Sequence, residues 1–290
     1  MRLIIVSGLS GSGKSVALAM LEDLDFYCVD NIPAGLLPGF IAYTVRTSEP
    51  AYRNTAVGVD ARNRPEDLAD VPRLVAELRR SGIGCEVLFL RADNETLLKR
   101  FSETRRRHPL SRAGLGLQEA LEQEQRMLAP VANAADLTVD SSRLSVHELR
   151  ELIRERVVEH KAGHPSLLFQ SFAYRHGVPD DADFVFDARA LPNPYWEPSL
   201  RDCTGRDEAV AQFMSRHEEA TRFLADITGF LETWLPSLVR SNRSYLTVAV
   251  GCTGGQHRSV YLAEKLAAHF NGRFGRALIR HRDLASRRHE

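Results

Sequence analysis

Gly8-Leu-Ser-Gly-Ser-Gly-Lys-Ser15 follows directly on the apolar run Leu3-Ile4-Ile5-Val6, which places a glycine-rich phosphate-binding loop at the end of the first strand. Gly8, Gly11 and Gly13 permit a tight turn that aims successive backbone N–H groups at phosphate oxygens, and the helix N-terminus that follows adds its dipole. Lys14 reaches the β/γ-phosphates, and Ser15 offers a hydroxyl suited to Mg²⁺. Lys14 and Ser15 are thus the candidate catalytic groups and Ser15 the candidate metal ligand. Gly8, Leu9, Ser10, Gly11, Ser12 and Gly13 complete the cradle for a nucleoside triphosphate. The helical spacing of Val16-Ala17-Leu18, continued by Leu21 and Leu24, separates this strand–loop–helix unit from a plain Gly-rich turn.

Working outward, Phe26–Val29, Ala56–Val59, Glu86–Leu90 and Asp136–Val139 are further apolar runs, separated by segments with helical spacing. That alternation predicts an α/β fold with a parallel sheet. Ser145 and Glu148 form a capping box that opens a helix running toward His160. Lys161-Ala-Gly-His-Pro165 is the best candidate boundary. With 290 residues the chain can bury two cores, predicting domains over 1–160 and 161–290. The second begins with strands at Leu167–Phe172 and Asp183–Asp187, then a Pro-rich loop through Pro192, Pro194 and Pro198. Helices are expected around 207–220 and 222–238, and the last strand at Tyr245–Val250.

Equal numbers of basic and acidic residues, 38 each, argue against a protein that coats nucleic acid nonspecifically, while leaving a local basic patch open. Cys28, Cys85, Cys203 and Cys252 show no paired metal-ligand spacing, and there is no signal peptide or long apolar segment. The expectation is a cytoplasmic protein without a membrane anchor.

A second phosphate-type turn ends the Tyr245–Val250 strand: Gly251-Cys-Thr-Gly-Gly-Gln-His-Arg-Ser259, followed by a helix from Val260 to Phe270. Cys252, Arg258 and Ser259 fit the CxxGxxR[ST] pattern of cysteine-dependent phosphatases, in which a thiolate attacks phosphorus while Arg grips two oxygens. Gly251, however, stands where those enzymes carry His. Three readings remain: anion binding without turnover, a phosphatase, and a structural turn.

Several other groups carry two readings each. Asp30 and Asp60 both end apolar runs, where a carboxylate either helps hold Mg²⁺ or caps the next turn. Asp60, Ala61, Arg62 and Asn63 together suit a base or ribose. Arg105-Arg-Arg-His108 is a phosphate-contacting lid or a solvated helix face. Arg273, Arg276, Arg280, Arg282, Arg287 and Arg288 suit an RNA backbone or form a frayed, solvated tail.

Taken together, Val6–Ser15, Phe26–Asn31, Asp60–Asn63, His176-Gly177, Leu191–Pro194, Asn242–Tyr245 and Gly251–Ser259 resemble the RapZ/YvcJ family of P-loop nucleotide-binding proteins, the RNase adapter group, across essentially the whole chain. The resemblance implies a P-loop NTPase, kinase-like N-terminal domain that binds and slowly hydrolyses ATP and GTP, with ATP on 8–15 and GTP at Asp60, Ala61, Arg62 and Asn63. It implies a C-terminal α/β domain resembling a sugar-phosphate-binding fold. There Cys252, Thr253, Gly254 and Arg258 would take a phosphorylated amino sugar such as glucosamine-6-phosphate. The Arg strip would bind small regulatory RNA for presentation to an endoribonuclease, and the protein would be a homo-oligomer. The rival is a P-loop small-molecule kinase. Arg91 departs from the pattern, since a strand-end Asp there would have helped hold the metal.

Overall fold

The computed structural model describes residues 1–47, 49–104, 107–113, 115–158, 165–241, 243–273 and 276–284. It divides into two compact units, Met1–Glu159 and His160–Glu290. The predicted boundary at 161–165 lies, but for Pro165, outside the described residues.

Unit one runs β1 (Arg2–Gly8), α1 (Lys14–Glu22), β2 (Tyr27–Val29), α2 (Leu37–Thr47), β3 (Asn54–Gly58), α3 (Pro65–Arg80), β4 (Gly84–Arg91), α4 (Asn94–Thr104), α5 (Leu117–Asn133), β5 (Leu137–Asp140) and α6 (Val146–Ile153). Its sheet has the order β2-β3-β1-β4-β5, and every pairing is parallel. The central β1 is an unbroken apolar run because helices cover both faces of such a sheet. Leu3, Ile4, Ile5 and Val6 are all buried. Helices α3 and α5 pack their apolar stripes, Leu68, Val71, Val75 and Leu121, Leu128, Val131, into the core that Leu3 and Ile5 enter. At α6 the capping box forms as predicted: Ser145 Oγ accepts the Glu148 N–H at 3.2 Å, and Glu148 Oε2 accepts the Ser145 N–H at 2.8 Å.

Unit two runs β6 (Ser166–Ala173), β7 (Phe184–Asp187), α7 (Glu208–Ser215), α8 (Glu218–Arg240), β8 (Tyr245–Cys252), α9 (Arg258–Phe270) and β9 (Ala277–His281). Its sheet, also all parallel, has the order β7-β8-β6-β9. The two α/β units with parallel sheets are the fold class expected from the sequence.

Two expectations are corrected. The strand at Tyr245–Val250 is not the last, because β9 follows and pairs with β6 through Leu278 and its neighbours. The break between the two helices falls at residues 216–217 rather than near 221. His217 marks it, its Nδ1 donating to the Phe213 carbonyl at 2.8 Å while the residue itself stands at the N-cap of α8.

Candidate functional site

At the end of β1 the chain turns through 9–13 into α1. Gly13 sits at the N-cap with φ of 104°, and a Cβ there would lie 2.5 Å from Leu149 Cδ2, so only glycine fits. No side chain caps α1. The N–H groups of Leu9 and Ser12 bond to Leu90 O and Leu9 O, and that of Ser10 to Glu124 Oε2. Among the described residues, those of Gly11, Gly13, Lys14 and Ser15 have no protein acceptor. The carbonyls face the other way: Arg100 Nη1 donates to Gly11 O at 2.9 Å, and Ser141 Oγ donates to Ser12 O at 2.7 Å. A loop with its carbonyls tied outward and its N–H groups unpaired is built to receive an anion.

The Lys14 ammonium donates to Asp30 Oδ1 and lies 3.3 Å from Asp60 Oδ2. Both candidate carboxylates therefore meet at Lys14, one from the end of β2 and one from the end of β3. They differ in environment. Asp60 is buried and gripped by Arg62, whose Nη2 lies 2.6 Å and Nε 3.2 Å from Oδ2. Burial works against the Asp60 charge, yet the hydrogen bonds from Arg62 and the charges of Lys14 and Arg62 outweigh it and hold the carboxyl below its ordinary range. Asp30 is half exposed, at 48%. Gly58 makes room for the cluster: a Cβ there would meet Asp30 Oδ1 at 2.4 Å and Lys14 Nζ at 3.2 Å. Nothing in the sequence marks Gly58. The Ser15 side chain is exposed and makes no protein hydrogen bond among the described residues, which suits a metal ligand. At the opposite flank β4 ends in Arg91, so the carboxylates at this loop come from β2 and β3 instead.

The tetrad at 60–63 is built differently from the reading of its residues as a base or ribose contact. Ala61 is buried, and the Asn63 amide is engaged at both ends, Oδ1 accepting the Ala34 N–H at 2.6 Å and Nδ2 donating to Asp60 O at 3.1 Å. Only Arg62 presents a side chain, and it is held by Asp60. Of the run at 105–108, Arg105 and Arg106 lie outside the described residues. His108 is buried against Glu124 rather than solvated.

In unit two, β8 ends at Cys252 and α9 begins at Arg258, with the second turn between them. Cys252 is buried; its Sγ accepts the Gly255 N–H at 3.2 Å and lies 3.1 Å from Ser259 Oγ. Its burial, rather than these two contacts, is what counts against nucleophilic attack on a bound phosphate. Gly251 cannot be the phosphatase His, since a Cβ there would lie 2.4 Å from Phe172 Cζ and 2.5 Å from Tyr174 Cε2. Arg258 is likewise turned inward: Nη1 donates to Arg189 O at 2.9 Å and Leu191 O at 3.0 Å, while its buried Nε has no partner. The expected grip on two phosphate oxygens is corrected to a hold on the 189–191 backbone. Thr253 is exposed and Gly254 is open on its Cβ side, and among the described residues their N–H groups have no protein acceptor.

The basic strip is partly committed. Arg273 Nη1 pairs with Glu232 at 2.8 Å. The Arg282 side chain is only 8% exposed and is already committed, donating to Asp283 and to the Gly177 carbonyl, with its guanidinium 5.4 Å from the Phe172 ring. Arg282 is therefore removed from the RNA-facing set. Arg276 and Arg280 flank and join β9, while Arg287 and Arg288 lie outside the described residues. Sequence reading also missed Asp283, whose carboxylate accepts the Ala173 N–H at 2.8 Å and His176 Nδ1 at 2.8 Å, and whose carbonyl accepts Gln256 Nε2 at 2.8 Å. Among the described residues no helix is long and apolar enough to cross a membrane.

A parallel sheet, a glycine turn with unpaired N–H groups and a lysine at the following helix define the P-loop class of α/β proteins. Residues 1–161 match the RapZ-like N-terminal domain and residues 165–285 the RapZ C-terminal domain, and the chain belongs to the RapZ family. It is 54% identical over 283 residues to a nucleotide-binding protein of Alkalilimnicola ehrlichii, covering 98% of each chain. It is 52% identical over 285 residues to one of Nitrosococcus oceani, covering 98% of this chain and 100% of that one. Among solved structures, a shikimate kinase from Bacteroides thetaiotaomicron aligns with 53% of this chain and 98% of its own at 16% identity and a TM-score of 0.34.

Proposed function

We propose that this chain binds a nucleoside triphosphate, ATP or GTP, with Mg²⁺ on the loop 8–15, hydrolyses it slowly, and uses that site as one input of a two-unit regulator. The observation that carries the reading is the group of unpaired N–H donors at Gly11, Gly13, Lys14 and Ser15 beside a lysine held by two carboxylates. The name nucleotide-binding protein carried by the relatives supports it. Ser15 would hold Mg²⁺, which would supply positive charge to offset that of the phosphates. Asp60 is held by both Lys14 and Arg62, which keep its carboxyl below its ordinary range and make it a poor base for an attacking water, and this fits slow turnover.

The same proposal gives the turn at 252–258 a phosphorylated amino sugar of the glucosamine-6-phosphate type, its phosphate on the N–H groups of Thr253 and Gly254. Regulatory RNA, an endoribonuclease partner and homo-oligomer formation belong to the reading through the family resemblance. The test is ligand-shift melting of the full chain against ATP, GTP and glucosamine-6-phosphate, since selective binding stabilises by mass action. Lys14→Ala should abolish the nucleotide shifts and leave the sugar-phosphate shift. Loss of both, or no sugar-phosphate shift in the parent, sinks the two-site reading. For RNA, trimming should start after Leu284, because cutting from Arg273 would remove β9 as well.

One observation favours the kinase alternative. Asp30 is a half-exposed carboxylate at Lys14, a place where the proton of an acceptor hydroxyl could be received. ADP release that rises well above the basal rate with an added acceptor would establish it.

A further inference from the structure

Glu124 lies in the interior of α5, fully buried, and the proposed function leaves it without a role. Its carboxylate takes both donors of one loop residue, Oε2 accepting the Ser10 N–H at 2.9 Å and Oε1 the Ser10 hydroxyl at 2.6 Å. Oε2 also lies 3.1 Å from His108 Nε2. The other ring nitrogen, Nδ1, accepts the Leu110 N–H at 3.2 Å, so the ring proton sits on Nε2 and donates to Glu124. The His108 ring lies 5.3 Å from that of Phe101, and Phe101 and Leu97 back onto Gly11, where a Cβ would lie 3.5 and 3.4 Å from them.

Burying a carboxylate is costly unless donors satisfy it. Mere support of a turn would be met by a neutral side chain. A carboxylate that takes the N–H and O–H of the same residue instead fixes its orientation in two directions, as a fork does. Ser10 precedes Gly11 and Ser12, whose carbonyls Arg100 and Ser141 hold outward, so fixing Ser10 fixes where the loop's unpaired N–H groups begin.

We propose that Glu124 is the positioning residue of the phosphate-binding loop, acting through Ser10, and that His108 extends the same constraint into the α4–α5 connection, so that an anion on the loop is felt at residues 107–113. The inference rests on the loop 8–15 binding a nucleotide.

The test uses the full chain, AMP-PNP with Mg²⁺ as the probe, and the variants Ser10→Ala, Ser10→Thr and Glu124→Gln. Affinity is read by titration and backbone hydrogen exchange by peptide mass spectrometry. In the parent, the nucleotide should slow exchange in both 8–15 and 107–113. Ser10→Ala and Glu124→Gln should weaken binding roughly tenfold, the loss of a hydrogen bond to a charged group. At saturation they should protect 8–15 without protecting 107–113, and Ser10→Thr, which keeps the hydroxyl, should restore both. A merely structural Glu124 would lower the melting temperature without separating the two segments. Affinity within twofold of the parent, or full protection of 107–113 in both variants, overturns the proposal. If Glu124→Gln fails to fold, Ser10→Ala decides alone, since it deletes a single hydroxyl. A parent protein in which neither segment responds refutes nucleotide binding itself, and the positioning role falls with it.

Discussion

Lys14→Ala separates the cost to a ligand from the cost to the fold. In the parent, Lys14 is only 11% exposed in its side chain and bridges Asp30 and Asp60. Its removal takes away a cation from the β/γ-phosphates, where each charge-assisted hydrogen bond contributes about 1.5–3 kcal/mol. It also leaves Asp30 without its partner cation and Asp60 with Arg62 alone, both near the phosphates. Together these amount to about 3–5 kcal/mol, a few hundred-fold to a few thousand-fold in affinity. The fold should lose far less. Asp60 keeps its Arg62 fork and the Arg62 N–H at 3.0 Å, and Asp30 is exposed enough to be hydrated. A net loss of about 1 kcal/mol corresponds to a drop of roughly 2–4 °C. Titration with a fluorescent ATP analogue and Mg²⁺, alongside melting of the nucleotide-free protein, reads both quantities. Affinity within threefold of the parent, or a melting temperature that collapses while binding survives, would refute the reasoning.

Asp60→Asn should destabilise unit one at neutral pH. Because the folded carboxyl lies below its ordinary range, the stability it contributes is complete above the unfolded value and is lost as the pH falls through the folded one. The gap between parent and variant in urea midpoint should hold from pH 7 down to about 4 and close below it. Thiol labelling of the native protein at pH 8 should be fastest at Cys203. Burial, with a contribution from Glu22, pushes the Cys28 thiol up to about 11, and burial pushes Cys85 up to about 12, while Cys252 is enclosed. Peptide mass spectrometry after timed quenching checks the order, and early modification of Cys252 would reopen the phosphatase reading. Ser145→Ala breaks the capping box of α6 and should cost about 1 kcal/mol, seen as a lower urea midpoint for unit one.

What could be read in the chain follows how local the encoding is. The loop at 8–15 was legible because three glycines, a lysine and a serine state a backbone shape and its ligand in adjacent letters. The capping box was legible for the same reason, since its two hydrogen bonds join residues three apart. Strand β9 was not, because Ala-Leu-Ile-Arg-His alternates weakly within an Arg-rich stretch and becomes a strand through pairing with β6, about a hundred residues earlier. Glu124 was hidden among Glu119, Glu122 and other polar neighbours of one helix, with nothing to show which carboxylate faces inward. Gly58 was hidden because its role is an absence, the space that Lys14 and Asp30 fill. Arg258 misled because spacing specifies that an arginine follows the turn and not where its guanidinium points.

The arrangement of β9 and Asp283 also bears on the order in which the protein is made. The sheet of unit one is complete at β5, so that unit has all its strands while the rest of the chain is still being synthesised, and domains fold as units in that order. In unit two, by contrast, Ala173 waits 110 residues for the carboxylate that receives its N–H, and until β9 emerges the long apolar strand β6 is an unpaired edge. An interrupted synthesis that stops after α9 would therefore leave a folded first unit joined to a second whose open edge invites aggregation.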